Sequence, residues 1–379
     1  MVKIFLILIT LPGELSALWA GTFSTDQGYL ENAFTQAGLP SHHLSDYRYN
    51  YLYGPAKFRL PKSKMPWTAH NFRLAQGGVA RRWKNKGDGL DIDSLKKFNK
   101  RELLSQLTSA IIANFSPVEK YDLWLGDYTF AASLFESKNR AHRRDLADWA
   151  GFCNGMRVAG VQLPEPQYVL TLENPDGLVI PFYPEDLKAL AAVNYNYVEK
   201  YAALGSPTKL DTPKDQMNIA VFDMALRSYL GEYQTVFFID RDPSFPIFNV
   251  SIIGYQRRII KSLPRSILVE TTLEVVDDIE KSKGQFPTQE KIYRGELSKF
   301  IVLHYKLALT NEGKILDGVL VDGNIDFAWF AQGRGTEAEM NDHGNHFIKD
   351  KKIHELFDLA AARPTFYSTA VNLAPNDQL

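Results

Sequence analysis

Cysteine is almost absent from this sequence: its 379 residues include a single one, Cys153, so the chain cannot form an internal disulfide. An excess of charge is absent too, because the formal net charge is −1. A chain with this charge balance has no electrostatic footprint for nucleic acid, and we expect no nucleic-acid partner. Beyond the N-terminus no apolar run is long enough for a membrane helix, so we expect no membrane span in the mature chain.

Motifs for cofactors and metals are also lacking. The sequence has no glycine-rich phosphate loop and no Gly-x-Ser-x-Gly elbow. Residues 322–326 open like a calcium loop, but Phe327 stands where that loop requires glycine. Residues 342–346 offer two imidazoles, which is a weak pattern for a transition metal. The sequence therefore predicts no cofactor and no bound metal.

The N-terminus has the pattern of a secretory signal. Met1-Val2-Lys3 is a short basic region, and residues 4–11 form an apolar run too short to span a bilayer. Small residues then lead to a cleavage position after Ala20. The alternative is a buried N-terminal strand. We predict a signal peptide over residues 1–20 and a secreted or periplasmic protein.

The remaining sequence divides into two parts. Residues 21–115 have weak periodicity and end in a helix capped by Asp93 or Ser94 and running to about residue 113. Residues 116–379 have the pattern of a core domain, in which helices come first and strands follow. The predicted helices and strands of this core are listed here: helices 130–144, 152–161 and 184–204; strands 168–172, 178–182, 235–239, 266–276, 300–309 and 315–321. This order predicts an α+β fold in which a helix that carries Cys153 precedes a mostly antiparallel sheet.

Cys153 is either a small buried apolar side chain or a working thiol. Its position at the start of a predicted helix favours the second, because the helix N-terminus stabilises a thiolate. Gly151 and Gly155 on either side allow close packing or the approach of a substrate backbone. A thiol nucleophile also needs a base, usually histidine, and a group that orients the base.

Several segments resemble the transglutaminase elicitor family. The similar segments, in the correct order between about residues 120 and 330, are Tyr-Asp-Leu-Trp-Leu-Gly-Asp-Tyr (121–128), Trp-Ala-Gly-Phe-Cys-Asn-Gly (149–155), Leu-Pro-Glu-Pro (163–166), residues 180–190 and residues 247–255. The resemblance implies a papain/transglutaminase-like fold. It also implies acyl transfer, in which a Cys153 thiolate attacks a glutamine side-chain amide and an amine or water resolves the thioester.

The resemblance implies site residues, and one of them departs from the family pattern. Asn249 matches an orienting amide, but Asp223 stands where the family has its histidine. A carboxylate with a pKa near 4 is a poor base for a thiol near 8.5, a mismatch of roughly 6 kcal/mol at ~1.36 kcal/mol per unit. His304, on a predicted strand, is the leading alternative base, followed by His343 and His346.

Simpler interpretations of these residues stay open. His304 is more often a structural side chain on such a strand, Asn249 can cap a turn, and Cys153 can be a core residue. The sequence thus leaves two functions. The first is an exported, cysteine-dependent acyltransferase acting on protein glutamine, with a site that the replacement of the family histidine by Asp223 makes degenerate. The second is a catalytically inactive relative that binds a protein or peptide ligand. The oligomeric state is open in both.

Overall fold

The fold is taken from a computed structural model, which describes residues 20–40, 44–82, 97–141, 147–205, 217–241, 248–279, 287–325, 327–334 and 344–362. The predicted signal peptide lies outside these ranges, apart from Ala20, which begins the first helix. Asp93, Ser94 and His343, named in the sequence predictions, also lie outside the described residues. Within the described residues, no helix has the length and apolar character needed to cross a membrane.

The α-helices in the described ranges surround a sheet, and several have clear start signals. Ser116 caps the helix that follows it, with Glu119 completing a capping box and Pro117 in the first turn. The helices are α1 (Ala20–Gln36), α2 (Leu44–Tyr49), α3 (Lys100–Gln106), α4 (Ser109–Ile112), α5 (Pro117–Trp124), α6 (Ala131–Asn139), α7 (Cys153–Gln162), α8 (Pro184–Val198), α9 (Ile219–Ala225, continued by a π-helical turn, Leu226–Glu232), α10 (Gln289–Tyr293) and α11 (Asp350–Ala361).

The strands form one large antiparallel sheet and one small hairpin. The strands are β1 (Lys57–Arg59), β2 (Leu170–Glu173), β3 (Val179–Phe182), β4 (Glu199–Leu204), β5 (Phe238–Asp240), β6 (Asn249–Leu263), β7 (Ser266–Val276), β8 (Ser298–Leu309), β9 (Ile315–Asp322) and β10 (Ala328–Arg334). The large sheet has the order β4-β10-β5-β6-β7-β8-β9, and β1 adds to β6 beside β5. All its described strand pairs are antiparallel. The α+β prediction is therefore confirmed.

Several predicted elements are confirmed. The strand over 266–276 has the predicted bounds, and the helix that carries Cys153 begins at that residue. Residues 174–177 form the turn that joins the two predicted strands β2 and β3, with Gly177 at a φ of 84°. A left-handed φ of this kind favours glycine because a Cβ would be strained there.

Three predicted elements are wrong in extent or character. From residue 97 onward, where it is described, the helix predicted to run to about residue 113 is divided into α3, capped by Asn99, and α4, capped by Thr108. The helix predicted over 184–204 ends at Val198, and the remaining residues of the predicted range, 199–204, form β4, which pairs with β10. The N-terminal part, for which weak periodicity predicted no earlier element, begins with α1 at residues 20–36, which packs on β4.

Helix α7 is held between α8 and the large sheet. On one side its Gly155 approaches the backbone of α8, and on the other Arg157 donates from Nε to the carbonyl oxygen of Asn249, the first residue of β6, at 3.0 Å. The segment before residue 73 also contacts α7, because Trp67 donates its backbone N–H to the carbonyl of Gly160 at 3.0 Å. These contacts place the first turn of α7 at the end of the sheet where β6 begins.

Candidate active site

Cys153 is the first residue of α7, and it is partly exposed. Phe152 precedes the helix with non-helical backbone angles and donates its N–H to the carbonyl of Asn71 at 2.8 Å. The thiol therefore stands in the first helical turn, where unpaired backbone N–H groups favour negative charge.

The two glycines around Cys153 have a packing role. A Cβ on Gly151 would lie 2.0 Å from the carbonyl oxygen of Asn71, and one on Gly155 would lie 1.9 Å from that of Ala192. Neither backbone contact tolerates a side chain. The Gly-x-Cys-x-Gly pattern thus seats α7 against two neighbouring segments, and in doing so it fixes the position of the thiol.

Two amides surround the sulfur. The Cys153 thiol lies 3.5 Å from the Oδ1 of Asn154, to which it donates, and 4.0 Å from the Nδ2 of Asn249. The same Nδ2 donates to Asn154 Oδ1, and the Oδ1 of Asn249 accepts the indole N–H of Trp329 at 2.6 Å. The structure thus brings together two of the residues named from the sequence, Cys153 and Asn249.

A buried arginine joins the thiol helix to the ends of β6 and β7. Arg157 lies one turn after Cys153 in α7, and besides its bond to Asn249 it donates from Nη1 to Thr68 Oγ1 at 3.0 Å. Its Nη2 donates to the Oδ1 of Asp278, two residues beyond the end of β7. Asp278 is thereby held at the site, although the sequence had not drawn attention to it.

The electrostatic surroundings favour the neutral thiol. Burial raises the pKa of the Cys153 thiol, and the charge of Asp278 raises it further, whereas Arg157 and the hydrogen bonds of Asn249 lower it. Burial likewise raises the pKa of Asp278 to about 6, against the opposing charge of Arg157. The thiol is therefore harder to ionise than a free one, and the pKa of the nearby carboxylate lies within reach of neutral pH.

Aromatic rings border the site on two sides. Trp149 packs edge-on against Phe248, the residue before Asn249, with the ring centroids 5.4 Å apart. On the other side Trp329 packs edge-on against the exposed ring of Tyr201 at 5.9 Å. Such rings offer apolar surface to the methylene groups of a long side chain.

Asp223 lies in a separate buried cluster. Its Oδ2 accepts from Arg227 Nε at 2.9 Å, and its Oδ1 accepts from Arg257 Nε at 2.6 Å and from the hydroxyl of Tyr305. Burial alone would raise the pKa of Asp223, but the charges of Arg227 and Arg257 outweigh it and lower the pKa. Arg257 stands roughly 25 Å along β6 from Asn249, at ~3.4 Å per residue. No described hydrogen bond or ion pair joins Asp223 to Cys153.

His304 lies on β8, away from the thiol. Its Nε2 is 3.2 Å from Glu270 Oε2, and its Nδ1 is 3.6 Å from Asp322 Oδ2. Glu270 lies roughly 20 Å along β7 from Val276, at ~3.4 Å per residue, and Val276 is the end of the strand nearest to Asp278. His346 packs against Phe135 and Phe347 instead. Of the histidines in the described ranges, none makes a described contact with Cys153, and His343 lies outside them.

Sequence reasoning missed three residues that shape the site: Arg157, Asp278 and Trp329. Arg157 had a usable signal, because it follows Cys153 by four residues and so shares its helix face. Asp278 lies two residues after a correctly predicted strand. Trp329 belongs to β10, which was not predicted. Among the described residues no group of three or more His, Cys, Asp or Glu side chains is arranged to hold a metal ion.

Comparison with known proteins identifies the class of fold. The structure resembles the crystal structure of the GP42 transglutaminase from Phytophthora sojae, with a TM-score of 0.64 over 89% of this chain and 98% of that chain, at 15% sequence identity. The chain therefore has a transglutaminase-like fold, as the sequence resemblance implied. No protein-family model matches the sequence, and no curated protein matches it either.

Proposed function

We propose that the protein is a cysteine-dependent acyltransferase of the transglutaminase type, with Cys153 as nucleophile and a glutamine side chain of a protein as acyl donor. The observation that carries this proposal is the placement of the thiol. Cys153 begins a helix, is partly exposed, and lies 4.0 Å from the amide of Asn249 at the start of a central strand. A core cysteine would need neither the exposure nor the polar neighbours.

The proposed reaction follows from thiol chemistry. Sγ loses its proton and forms a bond to the carboxamide carbon of glutamine, the carbon–nitrogen bond breaks, and ammonia leaves with the transferred proton. A primary amine or water then attacks the thioester and releases the thiol. The exposed Asn154 and the Nδ2 of Asn249 supply polar groups beside the sulfur, and Trp149 and Phe248 supply apolar surface for the glutamine methylenes.

A second function is favoured by the surroundings of the thiol, which raise its pKa. Burial and Asp278 raise the pKa of Cys153, and no contact with an imidazole is described for it within the described ranges. A site of this kind suits a relative that binds a protein or peptide ligand without turnover. Fold alone does not decide between the two functions, because one fold carries many activities.

Incorporation of an amine tests the reaction directly. The full chain is incubated with a biotinylated primary amine and a lysine-blocked, glutamine-containing protein, and Cys153→Ser and Cys153→Ala serve as matched controls. We expect incorporation and ammonia release with the natural chain and neither with the variants. Absence of both products over pH 6–9, with the folded state verified by circular dichroism, would exclude the acyltransferase and leave the binding function.

We also propose export, which rests on the signal-like pattern of residues 1–20. The test is expression of the whole chain with sequencing of the N-terminus of the product outside the cytoplasm. We expect the mature chain to begin at Gly21. A product that keeps Met1 and stays in the cytoplasm would contradict export without bearing on the chemistry of Cys153.

A further inference from the structure

Asp278 leaves the sheet beside the strand end that carries Asn249. Ser251 of β6 pairs with Val276 of β7 as the last pair of this antiparallel register. Asn249 lies two residues before Ser251, and Asp278 lies two residues after Val276, so both stand at the same end of the two strands. Arg157 bonds to both of them, and it lies one helical turn from Cys153.

The two carboxylate oxygens of Asp278 have different surroundings. Oδ1 accepts from Arg157, whereas Oδ2 is buried and has no hydrogen-bond partner among the described residues. A buried acceptor without a partner is costly and is found where a structure has another use for it. The charged groups that act on Asp278 are Arg157 from α7, Asp277 beside it, Arg241 after β5, and Arg73.

We propose that the Oδ2 of Asp278 is the proton acceptor for the Cys153 thiol, in place of the imidazole of related enzymes. This inference rests on the proposed acyl transfer. Oδ1 is anchored by Arg157, so Oδ2 is the oxygen left to act at the site. Asp277 is unsuited to this role, because its Oδ2 is bound by Arg241 and by Lys299, the latter at 2.7 Å.

The proton and electron balance is closed by groups on the chain and the substrate. Sγ–H gives its proton to Asp278 Oδ2 while the sulfur forms its bond to the carboxamide carbon. Asp278, now a carboxylic acid, returns the proton to the departing nitrogen, and ammonia leaves as the thioester forms. A carboxylate with a pKa of about 6 suits both steps better than one at its ordinary value, since its acid form is still a proton donor near neutral pH.

The test compares Asp278→Asn with Asp277→Asn, a matched change one residue away. Asn keeps an oxygen for Arg157 but removes the charge and the basic oxygen. Amine incorporation should fall about 100-fold in the Asp278 variant, in line with the loss of a general base. Alkylation of Cys153 by iodoacetamide at pH 7 should instead become several-fold faster, because the charge of Asp278 is one of the causes that raise the thiol pKa.

The opposite direction of the two effects separates a proton acceptor from a structural residue. Loss of both incorporation and alkylation, or unchanged incorporation, would overturn the inference. Asp277→Asn should keep incorporation at pH 8 within about threefold and move the acid limb of the pH profile to lower pH, because the charge of Asp277 raises the pKa of Asp278.

The natural chain supplies a measurement that needs no variant, which matters if Asp278→Asn fails to fold. Its incorporation rate should rise with pH through an apparent pKa of about 6. A rate that stays flat between pH 5 and 7.5 would overturn the inference. Activity in the natural chain that Asp278→Asn leaves intact refutes this inference alone, whereas absence of any activity in the natural chain refutes the proposed function.

Discussion

Trp329 donates its indole N–H to the Oδ1 of Asn249 at 2.6 Å, and this bond determines which end of the amide faces the thiol. An indole nitrogen can only donate, so the atom that receives it must be the amide oxygen. The NH₂ group of Asn249 is then directed to Cys153 Sγ and Asn154 Oδ1. A residue on β10 thereby sets the polarity of the thiol's surroundings.

Trp329→Phe should lower the rate of amine incorporation about tenfold with little change in the KM for the glutamine donor. Phenylalanine keeps an aromatic ring at this position, but the Oδ1 of Asn249 loses its hydrogen-bond donor, so the amide group can rotate. Trp67→Phe is the matched control, because it removes an indole N–H that donates to the carbonyl of Leu163 at 2.9 Å, away from the thiol. Equal losses of activity in the two variants would contradict a role for Trp329 at the site.

Gly155→Ala should destabilise the protein by ~3 kcal/mol or more, because the new Cβ meets backbone atoms of α8 that cannot yield. Chemical denaturation measures the change in unfolding free energy. Gly28→Ala in α1 is the control, since a Cβ there has nothing within 4 Å, and it should stabilise the helix by roughly 0.5–1 kcal/mol. A Gly155 variant with unchanged stability would show that this glycine serves substrate approach instead.

Asp122 makes the folding stability depend on pH. It is buried and accepts from Ser133 Oγ at 2.6 Å, and burial raises its pKa from 3.8 to about 7. A carboxylate with a raised folded-state pKa contributes stability that is present below its unfolded pKa and is lost as pH rises toward 7.

Asp122→Asn removes this titration. Between pH 5 and pH 8 the unfolding free energy of the natural chain should therefore fall relative to that of the variant by roughly 2–3 kcal/mol, at ~1.36 kcal/mol per pKa unit. Urea denaturation at the two pH values measures it, and Asp358→Asn, an exposed change in α11, serves as the control. A difference that stays constant between the two pH values would disprove the assignment.

Asp223 should matter for stability and not for the chemistry of the thiol. Asp223→Asn leaves Arg227 and Arg257 buried without their counter-charge, which costs roughly 3–5 kcal/mol of unfolding free energy. In the protein that still folds, the alkylation rate of Cys153 should be unchanged.

His304→Ala, at a half-exposed position, should change stability by less than ~1 kcal/mol and leave amine incorporation intact. Loss of incorporation at full stability in either variant would restore that residue as a base.

The sequence predicts elements well where local patterns are unambiguous. Strand β7 alternates apolar residues between two turn signals, and α7 follows a glycine-bordered start, so both were located correctly. The missed strand β6 is mostly polar and exposed beyond residue 255, where it pairs with β7, whose other edge pairs with β8. No glycine or proline stands between the end of α8 and the start of β4, so the sequence has no stop signal for the helix at that boundary.

The site shows a different limit. The resemblance named Cys153 and Asn249 together, and the structure places them in contact. Asp278 and Trp329 reach the same place through pairing of β6 with β7 and of β5 with β10. Those registers are properties of the assembled sheet. A single sequence offers no local pattern that would connect residue 153 with residues 278 and 329.

The contact of residues 67–71 with α7 has a consequence for how the protein folds. The thiol's surroundings combine a strap from the early chain, a helix from the middle and strand ends from the late chain, so they arise only after distant segments have associated. The chain has one sulfhydryl, so the rate at which it is labelled under native conditions measures how often that strap detaches from α7. A chain begun at residue 116 would lack the strap and β1, and we expect its sulfhydryl to react as it does in denaturant.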